Sequence, residues 1–238
     1  EYCVGKLQQK QNIHLHLDLI AGLPLEDFES FKKSFNDVYR LIPNQLQLGF
    51  LKVLKGSAME KLCSQYNIKY SPYPPYEVLS TDSLTYDEVL KLKGIEEMVE
   101  LYYNSNRFYL STGYIMHFFN DPFDFYQHLS EFKKQKGMST LSHNKNDAYA
   151  FLIEFCESFL DNEEIQNIKA KLKFDFLCHE RPRSNPDWAE KNMLDNNELY
   201  DLVVKQKAVS ELLPEYSDID PKQLLKLIHI ERFPIDPF

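Results

Sequence analysis

The 238 residues carry 27 Lys plus Arg against 36 Asp plus Glu, a formal net charge of −9, with 43% apolar and 26% charged residues. That balance is too apolar for a disordered tail and long enough for one or two domains with their own cores. The acidic charge, with a pI near 5.3, argues against a broad electrostatic grip on a nucleic-acid backbone. No apolar run approaches the ~20 residues needed to span a bilayer.

Gly is scarce at 7 residues, which disfavours β-barrels of antiparallel strands, Gly-rich phosphate loops and turn-dense sandwiches. Cys3, Cys63, Cys156 and Cys178 are 60, 93 and 22 positions apart, too far for a CxxC-type metal or cluster loop. With no leader pattern at the start, they read as reduced thiols of a cytoplasmic protein. The chain begins at Glu1 without Met, and the expectation is a segment of a longer protein.

In chain order, Ile13 to Ile20 alternates strictly. Ile13, Leu15, Leu17 and Leu19 face one way, and His14, His16, Asp18 and Ile20 the other, as in a β-strand. A turn at Ala21-Gly22-Leu23-Pro24 leads to Glu26 and Asp27, acidic residues suited to a helix N-terminus. Phe28, Phe31, Phe35, Val38 and Ile42 then recur at helical spacing up to Pro43-Asn44. A second strand is expected from Leu46 through Leu48 and Phe50 to Leu54. Strand, helix, strand at this spacing predicts a right-handed βαβ crossover with parallel strands. A lone βαβ unit is unstable by itself, so the pattern reads as the terminal portion of a partial TIM-like barrel.

Downstream, a short helix is expected over 58–65 and an extended connector over Tyr70–Tyr76. Thr85-Tyr86-Asp87-Glu88 is a capping box, opening a helix with Val89, Leu92, Ile95, Met98, Val99 and Tyr102 on one face. Further helices are expected near 107–119, 122–136, 146–160, 162–179 and 187–213. Asp121-Pro122 and Asp220-Pro221 each place a cap before Pro, and Asn104–Asn106 and Asn144–Asp147 read as loops. Leu227–Phe233 fits helix or strand. The fold class is therefore α/β plus mainly α: residues 1–57 the end of a barrel, 58–84 a connector, 85–238 a mainly helical domain.

The strongest candidate chemistry lies on the polar face of the first strand. In a parallel barrel His14, His16 and Asp18 would point inward, and functional groups gather at the carboxyl ends of the strands, where Asp18, Ile20 and the Gly22 turn lie. His-x-His followed by Asp also has metal-site chemistry, which leaves open a metal-dependent hydrolase using His14, His16 and Asp18. The plainer alternative is a pair of hydrogen-bonded interior histidines. Cys178-His179 lacks a third partner for nucleophilic catalysis. Arg181 and Arg183 suit a solvated loop better than an anion site. Aromatic runs at Tyr102-Tyr103, Phe118-Phe119 and Phe123–Tyr126 suit helical core. Asp121-Pro122-Phe123 and Asp236-Pro237-Phe238 match a short adaptor-binding tripeptide that arises readily by chance.

The stretch His16-Leu17-Asp18-Leu19-Ile20-Ala21-Gly22-Leu23-Pro24-Leu25-Glu26-Asp27, continuing through Phe28-Glu29-Ser30-Phe31 and followed by Gly56-Ser57-Ala58-Met59, resembles the late-barrel motif of radical S-adenosylmethionine (SAM) enzymes. Leu46–Gly56, Pro75–Leu79 and Tyr102–Phe108 resemble a bacterial subgroup with an N-terminal cobalamin-binding domain and a helical C-terminal extension. The resemblance implies an oxidoreductase in which a [4Fe–4S] cluster reduces SAM to a 5′-deoxyadenosyl radical. It implies that Asp18 meets the SAM ribose, that Ile20 meets the adenine, and that Gly22 completes the cofactor-binding turn. SAM, the cluster and cobalamin would belong to the parent protein, whose upstream barrel and cobalamin domain are the implied partners of this segment. The sequence departs from the family in two ways: it has no cysteine triplet, and Leu25 stands where the family usually has Gly. Three readings follow: a C-terminal radical SAM segment supplying part of the SAM pocket and a helical substrate or docking domain, a non-catalytic helical interaction module, and the metal-dependent hydrolase.

Overall fold

A computed structural model describes residues 2–10, 12–138, 145–180, 185–189, 195–205, 212, 214–216, 218–220, 223–224, 227–228 and 230–238. The chain divides into two compact units, Glu1–Phe159 and Leu160–Phe238. Among the described residues no helix is long and apolar enough to cross a membrane.

The first unit opens with α1 (Tyr2–Gln8), a short helix that buries nothing and that the sequence pattern does not announce. β1 (His16–Ala21) and β2 (Gln45–Phe50) then pair in parallel, from His16 opposite Gln45 to Ala21 opposite Phe50. The expected strand–helix–strand unit is therefore present. Between them α2 (Phe28–Tyr39) starts at a capping box: Asp27 Oδ1 accepts from the Ser30 N–H at 2.8 Å and Ser30 Oγ from the Asp27 N–H at 2.9 Å. Phe31 and Phe35 are buried as the periodicity requires. Ile42 is not part of that face. The helix stops at Tyr39, Ile42 takes a left-handed φ of 49°, and its side chain is exposed, because Pro43 disfavours helical backbone before it.

β2 also ends earlier than Leu54. Beyond Phe50 the backbone leaves its parallel partner for an antiparallel one: the Val53 N–H donates to Tyr76 O at 2.9 Å and the Val78 N–H to Leu51 O at 2.8 Å. After α3 (Ala58–Leu62), capped by Ser57, the expected extended connector is a small hairpin of β3 (Lys69–Tyr70) and β4 (Val78–Ser80). Leu51, Val53, Ile68 and Val78 form a local core beneath it.

α4 (Tyr86–Val99) begins at the Thr85–Glu88 capping box and runs on as a π-helical turn, Glu100–Asn104. Its predicted face is realised: Val89, Leu92, Ile95, Met98, Val99 and Tyr102 are all buried. Asn104 then acts as an extra strand residue. Its amide accepts from the Leu46 N–H and donates to Leu46 O, both at 2.9 Å, closing the free edge of β2 at that point.

α5 (Tyr109–Ile115) passes into a 3₁₀ turn, Met116–Phe118, and α6 (Pro122–Gln135) starts at Asp121 with Pro122 in its first turn, as read. α6 crosses α4 where Gly94 meets Ser130; a Cβ at Gly94 would lie 2.1 Å from Ser130 Oγ, so a larger residue there would require the Ser130 hydroxyl to turn away. α6 is tied to α2 by Lys32, paired with Asp121 and Asp124, and by buried Asn36, which accepts from the Phe123 N–H at 3.0 Å. α7 (Lys145–Glu157) begins within the stretch expected as a loop, so Lys145–Asp147 are helical; residues 139–144 lie outside the described ones.

The second unit is built on α8 (Asn162–His179), whose N-cap is Asp161. Residues 187–189 form a turn, and α9 (Asn196–Tyr200) continues as a π-helical turn, Asp201–Lys205; residues 190–194 lie outside the described ones. The helix expected from 187 therefore does not begin there; α9 starts at the Asp195 capping box, and residues 206–211 and 213 lie outside the described ones. Asp220 behaves as a cap, accepting from the Gln223 N–H at 3.3 Å, while Pro221 lies outside the described residues. Beyond Ile230 the chain is extended and lies on α8: Lys173 pairs with Glu231 at 2.5 Å, and Lys171 donates to Pro237 O at 2.8 Å.

Candidate functional site

The two parallel strands expose one face and bury the other. Leu15, just before β1, and Ala21 on it are buried, with Leu17 and Leu19 half-buried, and on β2, Leu46 and Leu48 are buried. The opposite face carries His16, Asp18 and Ile20, with Gln47 beside Asp18 and Gly49 beside Ile20 in the parallel register. The alternation read from sequence holds over His16–Ile20, whereas Ile13 and His14 precede the strand and Ile13 is exposed. Among the described residues only two strands pair here and none covers this face, so the Asp18 side chain is 65% exposed. No barrel is formed by these residues.

His16 Nε2 lies 3.1 Å from Asp18 Oδ1. That contact engages one carboxylate oxygen and leaves the other facing outward as an acceptor. Ile20, 47% exposed, supplies an apolar surface next to it at the carboxyl end of the strand. Gly49 extends that surface in a way the sequence pattern does not single out. A Cβ there would meet only Leu19 O at 3.7 Å, an ordinary contact, so the fold itself does not demand glycine. The missing side chain leaves bare backbone beside Ile20, where a flat group could approach.

Gly22 is placed differently from Asp18 and Ile20. It is buried, has φ +85°, and an added Cβ would lie 2.6 Å from Val78 Cγ1. Its role here is to let the turn after β1 pack down onto β4. Leu25 also adopts the left-handed region, with φ 68°, while its side chain is 78% exposed. This accounts physically for glycine at the corresponding position of the motif that the stretch resembles. Left-handed backbone costs an L-residue about 1–2 kcal/mol, part of which glycine returns through its larger unfolded-state entropy. Leu25→Gly is expected to stabilise the protein by about 0.5–1 kcal/mol, read as a higher melting temperature; a lower one would show that Leu25 packs usefully.

Metal and thiol chemistry find less support in the geometry. No group of three His, Cys, Asp or Glu side chains among the described residues could hold a metal ion, so His14 does not join His16 and Asp18 as the hydrolase reading requires. Burial pushes the Cys156 thiol up to about 12, away from the thiolate that a metal ligand needs. At the end of α8, desolvation and nearby Asp175 raise the Cys178 thiol, the opposite of what a catalytic Cys178-His179 pair needs. Arg181 and Arg183 lie outside the described residues. Of the two Asp-Pro-Phe tripeptides, the first has Phe123 fully buried and cannot be bound by an adaptor in this fold.

The family model described as "Protein of unknown function (DUF4080)" matches residues 64–237. Its span takes in the hairpin and the helices and begins after β1, α2 and β2. No curated protein matches the chain.

Proposed function

The chain belongs to the DUF4080 family, and we propose that it forms the C-terminal part of a radical SAM iron–sulfur oxidoreductase with an upstream cobalamin-binding domain. In this reading β1 and β2 are the closing strands of the barrel, their open face is one wall of the SAM pocket, and the helices form a substrate or docking domain. The observation that carries it is the pairing of Asp18 and Ile20 on an uncovered face at the carboxyl end of two parallel strands. Exposed carboxylate and exposed aliphatic side chain together suit a ribose joined to a flat base: Asp18 accepts from vicinal hydroxyls, Ile20 lies under the adenine. Bound SAM would supply the alkyl radical precursor. The cysteines of this chain do not hold the cluster, which the proposal assigns to the rest of the parent protein.

Asp18→Asn in the parent protein is expected to weaken SAM binding by about 1–3 kcal/mol, the cost of degrading a charge-assisted hydrogen bond in an enclosed site. Because Asp18 is exposed here and the replacement is nearly isosteric, the melting temperature should hold. Calorimetry with SAM beside thermal melting separates the outcomes. Unchanged affinity with a lower melting temperature would reduce Asp18 to a scaffold partner of His16. A parent protein that shows no [4Fe–4S] absorbance and cleaves no SAM would favour the helical interaction module instead.

A further inference from the structure

Away from β1, the 3₁₀ turn, α6 and α7 of the first unit border a cleft of about 420 Å³, within the range of small-molecule pockets. Five phenylalanines, Phe118, Phe119, Phe132, Phe155 and Phe159, make its apolar wall. Phe119 stacks on Phe155 at 6.0 Å and 11°, Phe132 meets Phe155 at 5.5 Å, and Phe155 meets Phe159 at 5.1 Å. The polar residues along its rim decide what it can hold.

Their donors are largely spent inside the fold. Asn120 Nδ2 donates to Asp124 Oδ2 at 3.1 Å, Ser158 Oγ donates to Phe155 O at 2.6 Å, and His128 Nδ1–H donates to Asp124 O at 2.7 Å. In the neutral imidazole that last bond leaves Nε2 as an acceptor. Gln127 Nε2 engages Glu131 Oε1 at 2.9 Å and leaves Oε2. Asp124 is consumed by Lys32 and Asn120. The atoms left for a ligand are therefore mostly acceptors: Asn120 Oδ1, His128 Nε2, the Ser158 Oγ lone pairs and Glu131 Oε2, with the Gln135 amide at the mouth able to offer either end. The described lining contains two carboxylates and neither Lys nor Arg. One ring already serves a cation of its own chain, since Lys136 Nζ lies 5.1 Å from the Phe132 centroid while paired with Glu154.

We propose that this cleft is a binding site for a small arylalkylammonium ion. The aryl group lies among Phe132, Phe155 and Phe159, and the ammonium reaches the acceptor rim at His128 and Glu131. Both halves of such a ligand match what the cleft offers: aromatic faces attract the ring and the cation, and an acceptor rim takes all three N–H donors.

The test titrates the full chain with phenethylammonium, 2-phenylethanol and 3-phenylpropionate, followed by NMR shifts of phenylalanine and histidine ring signals. Phenethylammonium is expected to bind about tenfold more tightly than the alcohol, and the propionate more weakly than either. Its shifts should centre on Phe132, Phe155, Phe159 and His128. Glu131→Lys should remove the preference for the cation, and Phe159→Ala, at a ring that is 44% exposed, should weaken all three ligands without changing the melting temperature. Equal affinity for the three probes, shifts elsewhere, or an unchanged preference in Glu131→Lys would overturn the proposal.

Discussion

Gly22→Ala is expected to destabilise the first unit by about 2–4 kcal/mol, combining backbone strain with overpacking. The backbone at position 22 has φ +85°, and the new methyl would sit 2.6 Å from Val78 Cγ1 and 3.2 Å from Cγ2. Neither side can retreat easily. Val78 is fully buried in the local core with Leu51, Val53 and Ile68. The turn is held by the Leu51 N–H donating to Ala21 O at 2.9 Å, and β4 by the Val78 N–H donating to Leu51 O at 2.8 Å. Thermal or urea melting measures the loss. Combining Gly22→Ala with Val78→Ala should return the steric part and leave the φ strain, so the two substitutions will not be additive. An additive pair would place the clash elsewhere. The expected loss is one of stability, because Gly22 faces β4 while Asp18 and Ile20 face outward.

Local rules that act over a few residues were legible in the sequence. Period-2 alternation located β1, the acidic pair Glu26 and Asp27 marked the start of α2, the Thr85–Glu88 capping box that of α4, and Asp121-Pro122 that of α6. The buried face of α4 followed from spacing alone. The missed features depend on partners far away in the chain. β3 and β4 are two and three residues long, too short for any period, and exist because 51–53 cross from β1 to meet 76–78. Asn104 looks like a loop residue until Leu46 is seen beside it. Leu25 reads as an apolar residue near a helix start, yet its exposed side chain and left-handed backbone show that the turn dictates the geometry there. At the candidate site, alternation correctly grouped His16, Asp18 and Ile20. It could not say whether that face is covered, because coverage depends on how many strands pair, a property that two strands of sequence do not contain.

Glu231→Ala is expected to cost the second unit about 3–5 kcal/mol, the range for breaking a buried ion pair by removing one side of it. α8 departs from an amphipathic pattern in its middle: Lys171, Lys173 and Asp175 are buried along with Ile168 and Leu172. Sequence periodicity would send those lysines to solvent. They are buried because the extended segment after Ile230 lies over them. Lys173 is 6% exposed and Glu231 2%, with 2.5 Å between them. The same ammonium lies 5.1 Å from the Phe233 ring, and Asn185 Nδ2 lies 3.4 Å from Glu231 Oε1. Phe174 packs against Phe238 at 4.8 Å, fastening the far end of the segment beside the Lys171 bond to Pro237 O. Removing the Glu231 carboxylate takes the 2.5 Å partner away from a buried ammonium, and urea denaturation measures the loss. The double replacement Lys173→Met with Glu231→Leu removes both charges while keeping apolar volume, so it should recover most of the loss. Recovery would mark the pair as a means of placing the segment on α8 more than a source of net stability. If Glu231→Ala cost less than about 1 kcal/mol, the range of solvent-screened surface pairs, the segment would have to be loosely held on α8.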